Sequence, residues 1–300
     1  MREIVIAGRV INDSEPCYVI AELGNNHGGN PDVARDMCQA AAHAGASVVK
    51  FQIRDNARLY TQSLLTKPYE NEHSFGRTYG EHRAMLELPA WRMSASAYGL
   101  LPWFATCFDE SGMNELACFG GCAIKIASGG LTDRPLLESA RLWATTRQWP
   151  VILSTGGGTI EDIDRAHDIL GDCPHAILHC TASYPLKPEE ANLRMILTLR
   201  NRYPETVIGY SCHSPGIAFS LIAYAFGARI IEKHFTLDRS SKGTDHAFSL
   251  EPKGLATLVD DLGKLRVALG DGVKRFYQSE VAPIAKMRRV QTDEGWKIAG

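Results

Sequence analysis

Three hundred residues, of which 45% are hydrophobic and 22% charged, describe a globular chain long enough for one or two domains and a large core. A formal net charge of −2 gives no basis for nucleic-acid or membrane-surface binding, and eight scattered cysteines without a Cys-x-x-Cys pair indicate neither a zinc ribbon nor a disulfide framework. No apolar run has the length of a membrane-spanning helix, and the start Met1-Arg-Glu-Ile-Val-Ile-Ala7 lacks the apolar stretch of a signal peptide, so a soluble, cytoplasmic protein is expected.

In chain order, Ile4–Ile6 and Val10–Ile11 read as a small hairpin placed to plug the bottom of a barrel. Cys17–Glu22 is the first strand of the repeating part, followed by the loop Gly24–Gly29 and a helix opened by Asn30-Pro31-Asp32. Ser47–Gln52 is the second. A long polar segment from about Ile53 to Glu81 then precedes a helix near Arg83–Gly99, and connections of that length in compact domains are commonly functional or mobile. Leu101–Thr106 with a helix over Glu110–Phe119, Cys122–Ala127 with Asp133–Thr145, and Val151–Ser154 with the helix after Thr159 continue the alternation. His175–Cys180 with Glu189–Arg202, Thr206–Tyr210 with Gly216–Phe226, and Arg229–His234 with Lys253–Leu269 complete eight pairs. Eight strand–helix units predict an α/β fold, a (β/α)8 TIM barrel with its active site at the carboxyl ends of the strands. An open doubly wound sheet would show fewer repeats and a Gly-x-Gly-x-x-Gly turn, which Gly24-Asn-Asn-His-Gly-Gly29 does not match. The expected organisation is a hairpin over 1–16, a barrel over 17–272 and a tail over 273–300.

The last two strands each end in a histidine, His213 and His234. Ser214 and Pro215 follow the first as candidate N-cap and first helical residue. Neighbouring parallel strands lie about 4.8 Å apart, so both imidazoles can reach one divalent ion at about 2.0–2.2 Å. Period-two alternation puts Lys50 and Gln52 on one face of the second strand, opposite Val49 and Phe51. Lys125 sits in the apolar run Ala123-Ile-Lys-Ile-Ala127, and Glu22 and Thr106 end their own strands. Buried lysine is rare unless paired. Two such lysines beside two metal-ligand candidates point to a substrate of several negative charges, each lysine facing ligand charge instead of a fixed carboxylate. Ser128-Gly129-Gly130 and Thr155–Gly158 offer backbone N–H groups to an anion or form plain turns, and Asp238–His246 either leans over the site or is a solvated loop. Cys107, Cys180 and Cys212, near strand ends, read as small packing residues.

The motifs Ala21-Glu-Leu-Gly-Asn-Asn-His-Gly-Gly29, Val49-Lys-Phe-Gln52, Phe104-Ala-Thr-Cys-Phe-Asp109, Lys125-Ile-Ala-Ser-Gly129, His179-Cys-Thr-Ala-Ser-Tyr-Pro185, Gly209-Tyr-Ser-Cys-His213 and Ile231-Glu-Lys-His-Phe-Thr236 together resemble the N-acetylneuraminate (sialic acid) synthase family, in order from about Cys17 to Leu269. The resemblance implies a homodimeric, cytoplasmic transferase that condenses phosphoenolpyruvate with an aldose, using a divalent metal, Mn2+ first and Mg2+ or Co2+ as alternatives. His213 and His234 match the metal ligands; Lys50, Thr106, Lys125, Ser128 and Ser211 match positions that hold phosphoenolpyruvate; Gln52, Tyr184 and Asp245 match sugar contacts; Glu22 matches the acid near the aldehyde. Gly130 stands where the family usually has a sugar-binding Glu, Ala182 replaces a polar residue, and a short tail follows the barrel where the family continues into an antifreeze-like domain. An acceptor other than free N-acetylmannosamine, or much looser binding of it than in a full-length family member, is therefore expected. Two other readings remain open from the residues: a Schiff-base pyruvate aldolase using Lys50, Lys125 or Lys233, and a sugar-binding barrel without turnover.

Overall fold

The structure, a computed structural model, describes residues 2–298; Met1 of the expected hairpin and Ala299 and Gly300 of the expected tail lie outside the described residues. It divides into two compact units, Met1–Leu265 and Arg266–Gly300.

The first unit is the predicted barrel. It opens on the antiparallel hairpin β1 (Ile4–Ile6) and β2 (Arg9–Ile11). The strands β3 (Tyr18–Gly24), β4 (Val48–Ile53), β5 (Trp103–Cys107), β6 (Ile124–Ile126), β7 (Val151–Ser154), β8 (His175–Cys180), β9 (Val207–Cys212) and β10 (Ile230–His234) are all parallel and close in sequence order, β10 pairing back onto β3. Between them run α1 (Pro31–His43), α2 (Asn56–Leu59), α3 (Gln62–Leu65), α4 (Tyr79–Leu86), α5 (Ala90–Ala97), α6 (Glu110–Cys118), α7 (Arg134–Arg147), α8 (Ile160–Leu170), α9 (Met195–Arg202) and α10 (Ala218–Ala225), with α11 (Pro252–Ala268) after β10.

Three expected helices are placed differently. The single helix near Arg83–Gly99 is two, α4 and α5, because Pro89 disfavours helical backbone at Leu88 and instead begins the next helix as its N-cap. The helix expected over Glu189–Arg202 is a single 3-10 turn at Pro188–Glu190 and then α9, with Asn192 between them at φ 38°. Ser214 and Pro215 do not open α10, whose N-cap is Ile217. Ser214 is engaged on its own strand side: its carbonyl accepts from Lys233 Nζ and its hydroxyl lies 3.1 Å from Cys212 Sγ.

Strand alternation divides the core in two. Outward residues such as Val49, Phe51, Ala105, Ile126 and Ile231 pack under the helices, and amphipathic α1 is typical of that layer, burying Ala34, Met37, Cys38 and Ala41. Inward residues near the amino ends of the strands, among them Tyr18, Ile20, Phe104, Ile152 and Leu178, form a second cluster with Ile4, Ile6 and Ile11 of the hairpin. The hairpin is the apolar floor of the barrel interior. Burying each such isoleucine contributes about 1.5–3 kcal/mol. Gly209 keeps this interior closed, since a Cβ there would stand 2.4 Å from Leu178 Cδ2 and 2.6 Å from the Ile230 carbonyl.

The second unit carries α12 (Val281–Ala285) and the antiparallel pair β11 (Arg289–Thr292) and β12 (Gly295–Ile298). No helix among the described residues is long and apolar enough to cross a membrane.

Candidate active site

Above the apolar floor the inward positions turn polar. On β10, Ile230 belongs to the floor while Glu232 and His234, two and four residues on, line a pocket of about 290 Å³ at the carboxyl ends of the strands. Each of the eleven residues singled out in the sequence lies in this pocket: Glu22, Lys50, Gln52, Thr106, Lys125, Ser128, Tyr184, Ser211, His213, His234 and Asp245. A larger hollow of about 500 Å³ lies along α7 and α8, lined by three arginines, Arg134, Arg141 and Arg165, by the acids Glu138, Asp162 and Asp168, and by Thr132 and aliphatic neighbours; none of the eleven reaches it. Convergence of chemistry, not volume, identifies the site.

One half of the pocket is built around Lys50. Its Nζ lies 2.7 Å from Glu22 Oε2 and 3.6 Å from Glu232 Oε1, and donates to Thr106 Oγ1 at 2.7 Å. Burial alone would lower the Lys50 pKa, but the two carboxylates outweigh it and hold the amine charged. Lys50 therefore faces fixed carboxylates, contrary to the expectation for both lysines. Lys125 has no carboxylate within ion-pair distance among the described residues: its Nζ donates to Ser154 Oγ at 2.6 Å and to the Ile126 carbonyl at 2.8 Å, and burial pushes its pKa down to about 8. Ser211 Oγ donates to Glu232 Oε1 at 3.1 Å, and Ser128 Oγ accepts from the Gly156 amide at 3.0 Å.

Glu22, Gln52 and Asp245 converge on Gly24. A Cβ built there would meet Gln52 Nε2 at 3.3 Å, Glu22 Oε1 at 3.4 Å and Asp245 Oδ2 at 3.5 Å, and the φ of +53° favours glycine. Gln52 Nε2 donates to Glu22 Oε1 at 2.9 Å. Burial raises the Glu22 carboxyl, Lys50 opposes the shift and Glu232 adds to it, which brings this acid towards the neutral range where proton transfer is efficient. Glu232 moves the other way, because Lys50 and Lys125 outweigh its burial.

The histidine rings stand 5.4 Å apart, with the Tyr184 ring 4.1 Å from that of His213 and the Phe248 ring 5.0 Å from that of His234. His213 Nδ1 is 3.0 Å from the Thr181 carbonyl, a contact that holds the proton on Nδ1 and leaves the Nε2 lone pair free. Burial keeps both rings neutral, His213 down to about 3 and His234 also lowered. His234 Nδ1 and Glu232 Oε2 are buried and have no hydrogen-bond partner among the described residues; Asp245 Oδ2, 3.7 Å from His234 Nδ1, is too far to serve. Neutral imidazoles with open lone pairs beside an unsatisfied carboxylate oxygen fit a divalent cation. No cluster of three His, Cys, Asp or Glu ligands is present among the described residues, so the protein's own donors leave positions open for substrate and water.

Sequence reasoning passed over Glu232 and Ser154 and read Cys180 as a packing residue; all three also line the pocket. Period two could have found Glu232, which shares its face with His234. The same alternation removes Lys233: its Nζ donates to the Ser214 carbonyl on the outer side of the sheet and is not a pocket amine. Gly130 also differs from expectation. A Cβ there would meet Leu136 Cδ2 at 2.9 Å and Ile126 Cγ2 at 3.0 Å, so the position faces packing under α7, and Gly129 takes its place on the pocket wall.

One consequence is a pH dependence set by Lys125. Its amine is charged below about 8 and neutral above. The kcat/KM for an anionic substrate held by Lys125 should fall as pH rises through that value, and the fall should vanish in Lys125→Ala. A profile flat to pH 10 in the unaltered protein would contradict the role.

A comparison with family models matches residues 37–274 to the NeuB family. N-acetylneuraminate-9-phosphate synthase from Mus musculus is 37% identical, over 92% of this chain and 77% of the relative. N,N'-diacetyllegionaminic acid synthase from Legionella pneumophila is 31% identical, over 94% of this chain and 83% of the relative. Among solved structures, the N-acetylneuraminic acid (sialic acid) synthetase from Leptospira borgpetersenii in complex with citrate superposes with a TM-score of 0.78 at 35% identity, over 94% of this chain and 95% of that one. With the sialic acid synthase motifs gathered into one pocket at the mouth of a closed barrel, this chain belongs to the NeuB family.

Proposed function

We propose that the barrel condenses phosphoenolpyruvate with an aldose, an amino sugar or a related aldehyde, to give a sialic acid-like 2-keto-3-deoxy sugar acid and inorganic phosphate. The observation that carries this reading is the joining, in one pocket, of Lys125, a proton-transfer acid at Glu22 and two neutral, open imidazoles. The activities named for the mouse, Legionella and Leptospira relatives support it.

Formal charge supports the requirement for a cation. The lining has two lysines against three carboxylates, Glu22, Glu232 and Asp245, so it does not by itself attract a multiply charged anion. His213 and His234 would hold a divalent ion, Mn2+ first, with Mg2+ or Co2+ as alternatives. Bound there, such an ion supplies positive charge and Lewis-acid polarisation of a substrate oxygen. Lys125, Ser128, Thr106 and Ser211 hold the phosphate and carboxylate of the donor, with Lys50 fixing Glu22 and Thr106 from beneath. Gln52, Tyr184 and Asp245 orient the sugar.

The bond changes balance without a further reactant. C3 of the enol phosphate attacks the aldehyde carbon and forms the new carbon–carbon bond; the aldehyde oxygen takes a proton, with Glu22 placed to give it. Water adds at C2 and gives up a proton that restores Glu22; the C2–oxygen bond to phosphate then breaks, and the C2 hydroxyl loses its proton to the departing phosphate, which leaves the ketone. Bringing two bound reactants together accounts for much of the acceleration.

A second reading has one observation in its favour, since an amine lowered to about 8, as Lys125 is, suits Schiff-base formation with pyruvate. Phosphate release separates the two. Incubated with phosphoenolpyruvate and Mn2+, the protein should release phosphate only when an aldose of four to seven carbons is added. Trapping of a pyruvate adduct by borohydride, with no phosphate released, would favour the aldolase.

A further inference from the structure

The face of β4 that carries Lys50 and Gln52 continues by period two to Arg54, just past the end of the strand. Ile53 pairs with Cys107 where β4 and β5 end, so Arg54 and Phe108 leave the sheet side by side, and the Phe108 amide donates to the Ile53 carbonyl at 3.1 Å. The Arg54 guanidinium lies over the Phe108 ring, 4.0 Å from its centroid. Phe108 lines the active-site pocket and Arg54 does not. What Arg54 reaches is Gln52: its Nη2 donates to Gln52 Oε1, which also accepts from Asn25 Nδ2 at 3.4 Å. At the other end of the same amide, Gln52 Nε2 donates to Glu22 Oε1 at 2.9 Å.

These contacts allow one orientation of the Gln52 amide. Turned over, its nitrogen would face the donors of Arg54 and Asn25, and its oxygen would face the Glu22 carboxylate, so that each group met its own kind. Donors and acceptors left unmatched away from water cost more than a single hydrogen bond gains. Of the two donors to Oε1 the guanidinium is the stronger, being charged, planar and stacked on an aromatic ring, whereas the Asn25 contact is long. Orientation has a chemical consequence at both ends of the amide. The bond from Gln52 works against the burial that raises the Glu22 carboxyl, and it holds the acid's Oε1 in place. With Oε1 committed to Arg54 and Asn25, what Gln52 can offer a substrate is an N–H, beside Glu22 and Asp245 where the three converge on Gly24.

We propose that Arg54 is a positioning residue for the acceptor half of the reaction: it touches no substrate, and it fixes the Gln52 amide with its nitrogen towards Glu22 and the pocket. This rests on the condensation reading and deepens it. Recognition of the acceptor at this wall becomes the donation of a hydrogen bond to a sugar oxygen, and its direction is set by a residue outside the pocket.

The test is a double-mutant cycle between Arg54→Met and Gln52→Ala, read by phosphate release from phosphoenolpyruvate in the presence of Mn2+ and an aldose that the protein accepts. Methionine keeps an aliphatic stem over Phe108 and removes the donors. Burial and then the nearness of Arg83 already act against the Arg54 charge, so folding does not depend on it, and thermal unfolding checks this. Arg54→Met should lower kcat/KM for the aldose at least about tenfold and leave phosphoenolpyruvate affinity, measured by calorimetry, within about twofold. In the Gln52→Ala background the same substitution should change kcat/KM by less than about twofold, because no amide is left to orient. An equal loss in both backgrounds assigns Arg54 to packing and overturns the proposal, as does an unchanged kcat/KM in Arg54→Met or a loss of donor affinity as large as the loss for the aldose. Should no aldose support turnover, the condensation reading fails, and proton exchange still decides the role of Arg54. The Gln52 side-chain amide, assigned in 15N NMR spectra by its absence from Gln52→Ala, should exchange with solvent at least about tenfold faster in Arg54→Met. Equal exchange in the two proteins overturns the proposal.

Discussion

Stripping divalent metal from the protein is expected to lower aldose-dependent phosphate release by at least about a thousandfold, a loss of several kcal/mol of charge stabilisation. The expectation follows from the pocket's own deficit of positive charge and from two imidazoles that burial keeps neutral. Adding Mn2+, Co2+ or Mg2+ should restore activity. With no cluster of three His, Cys, Asp or Glu ligands among the described residues, binding is expected to be reversible, so the stripped protein should unfold at nearly the same temperature as the loaded one. His213→Ala and His234→Ala should reproduce the loss, and added metal should not rescue them. Full turnover by a sample shown metal-free by elemental analysis would contradict the assignment.

The second large effect separates the two lysines. Lys125→Ala should weaken phosphoenolpyruvate binding or conversion ten- to a hundredfold, about 1.5–3 kcal/mol, with little loss of thermal stability. No carboxylate lies within ion-pair distance of Lys125 among the described residues, and burial of its charge opposes folding. Lys50→Ala should behave differently. It leaves Glu22 and Glu232 buried without the amine between them, and breaking a buried pair from one side costs about 3–5 kcal/mol. Its midpoint in thermal unfolding should therefore fall clearly below that of Lys125→Ala. Equal stability of the two variants would show that the Lys50 cluster is not an ion pair of that strength, and unchanged donor affinity in Lys125→Ala would remove the lysine from the donor site.

Much of this architecture was legible because period two and period 3.6 alternate eight times, and parallel strands place their carboxyl ends at one mouth. Lys50 and Lys125 stood out as charges inside apolar runs, and His213 and His234 as polar residues at strand ends, and the structure brings all four to the pocket. Partnerships were less legible. That Lys50 closes on Glu22 while Lys125 does not depends on which strands become neighbours, and β3 lies beside β4. Ser214 resembled a cap by local chemistry, yet Lys233 and Cys212 claim it through contacts made by the next strand and its own.

The central claim is that a carbon–carbon bond forms between the donor and the aldose, and labelled phosphoenolpyruvate tests it most directly. With 13C at C3 of the donor, Mn2+ and an accepted aldose, the account predicts that the label appears as a methylene group bonded to the former aldehyde carbon of a 2-keto-3-deoxy acid, with one phosphate released per product. Label recovered only as the methyl group of pyruvate, or remaining in phosphoenolpyruvate with every aldose tried, would contradict it.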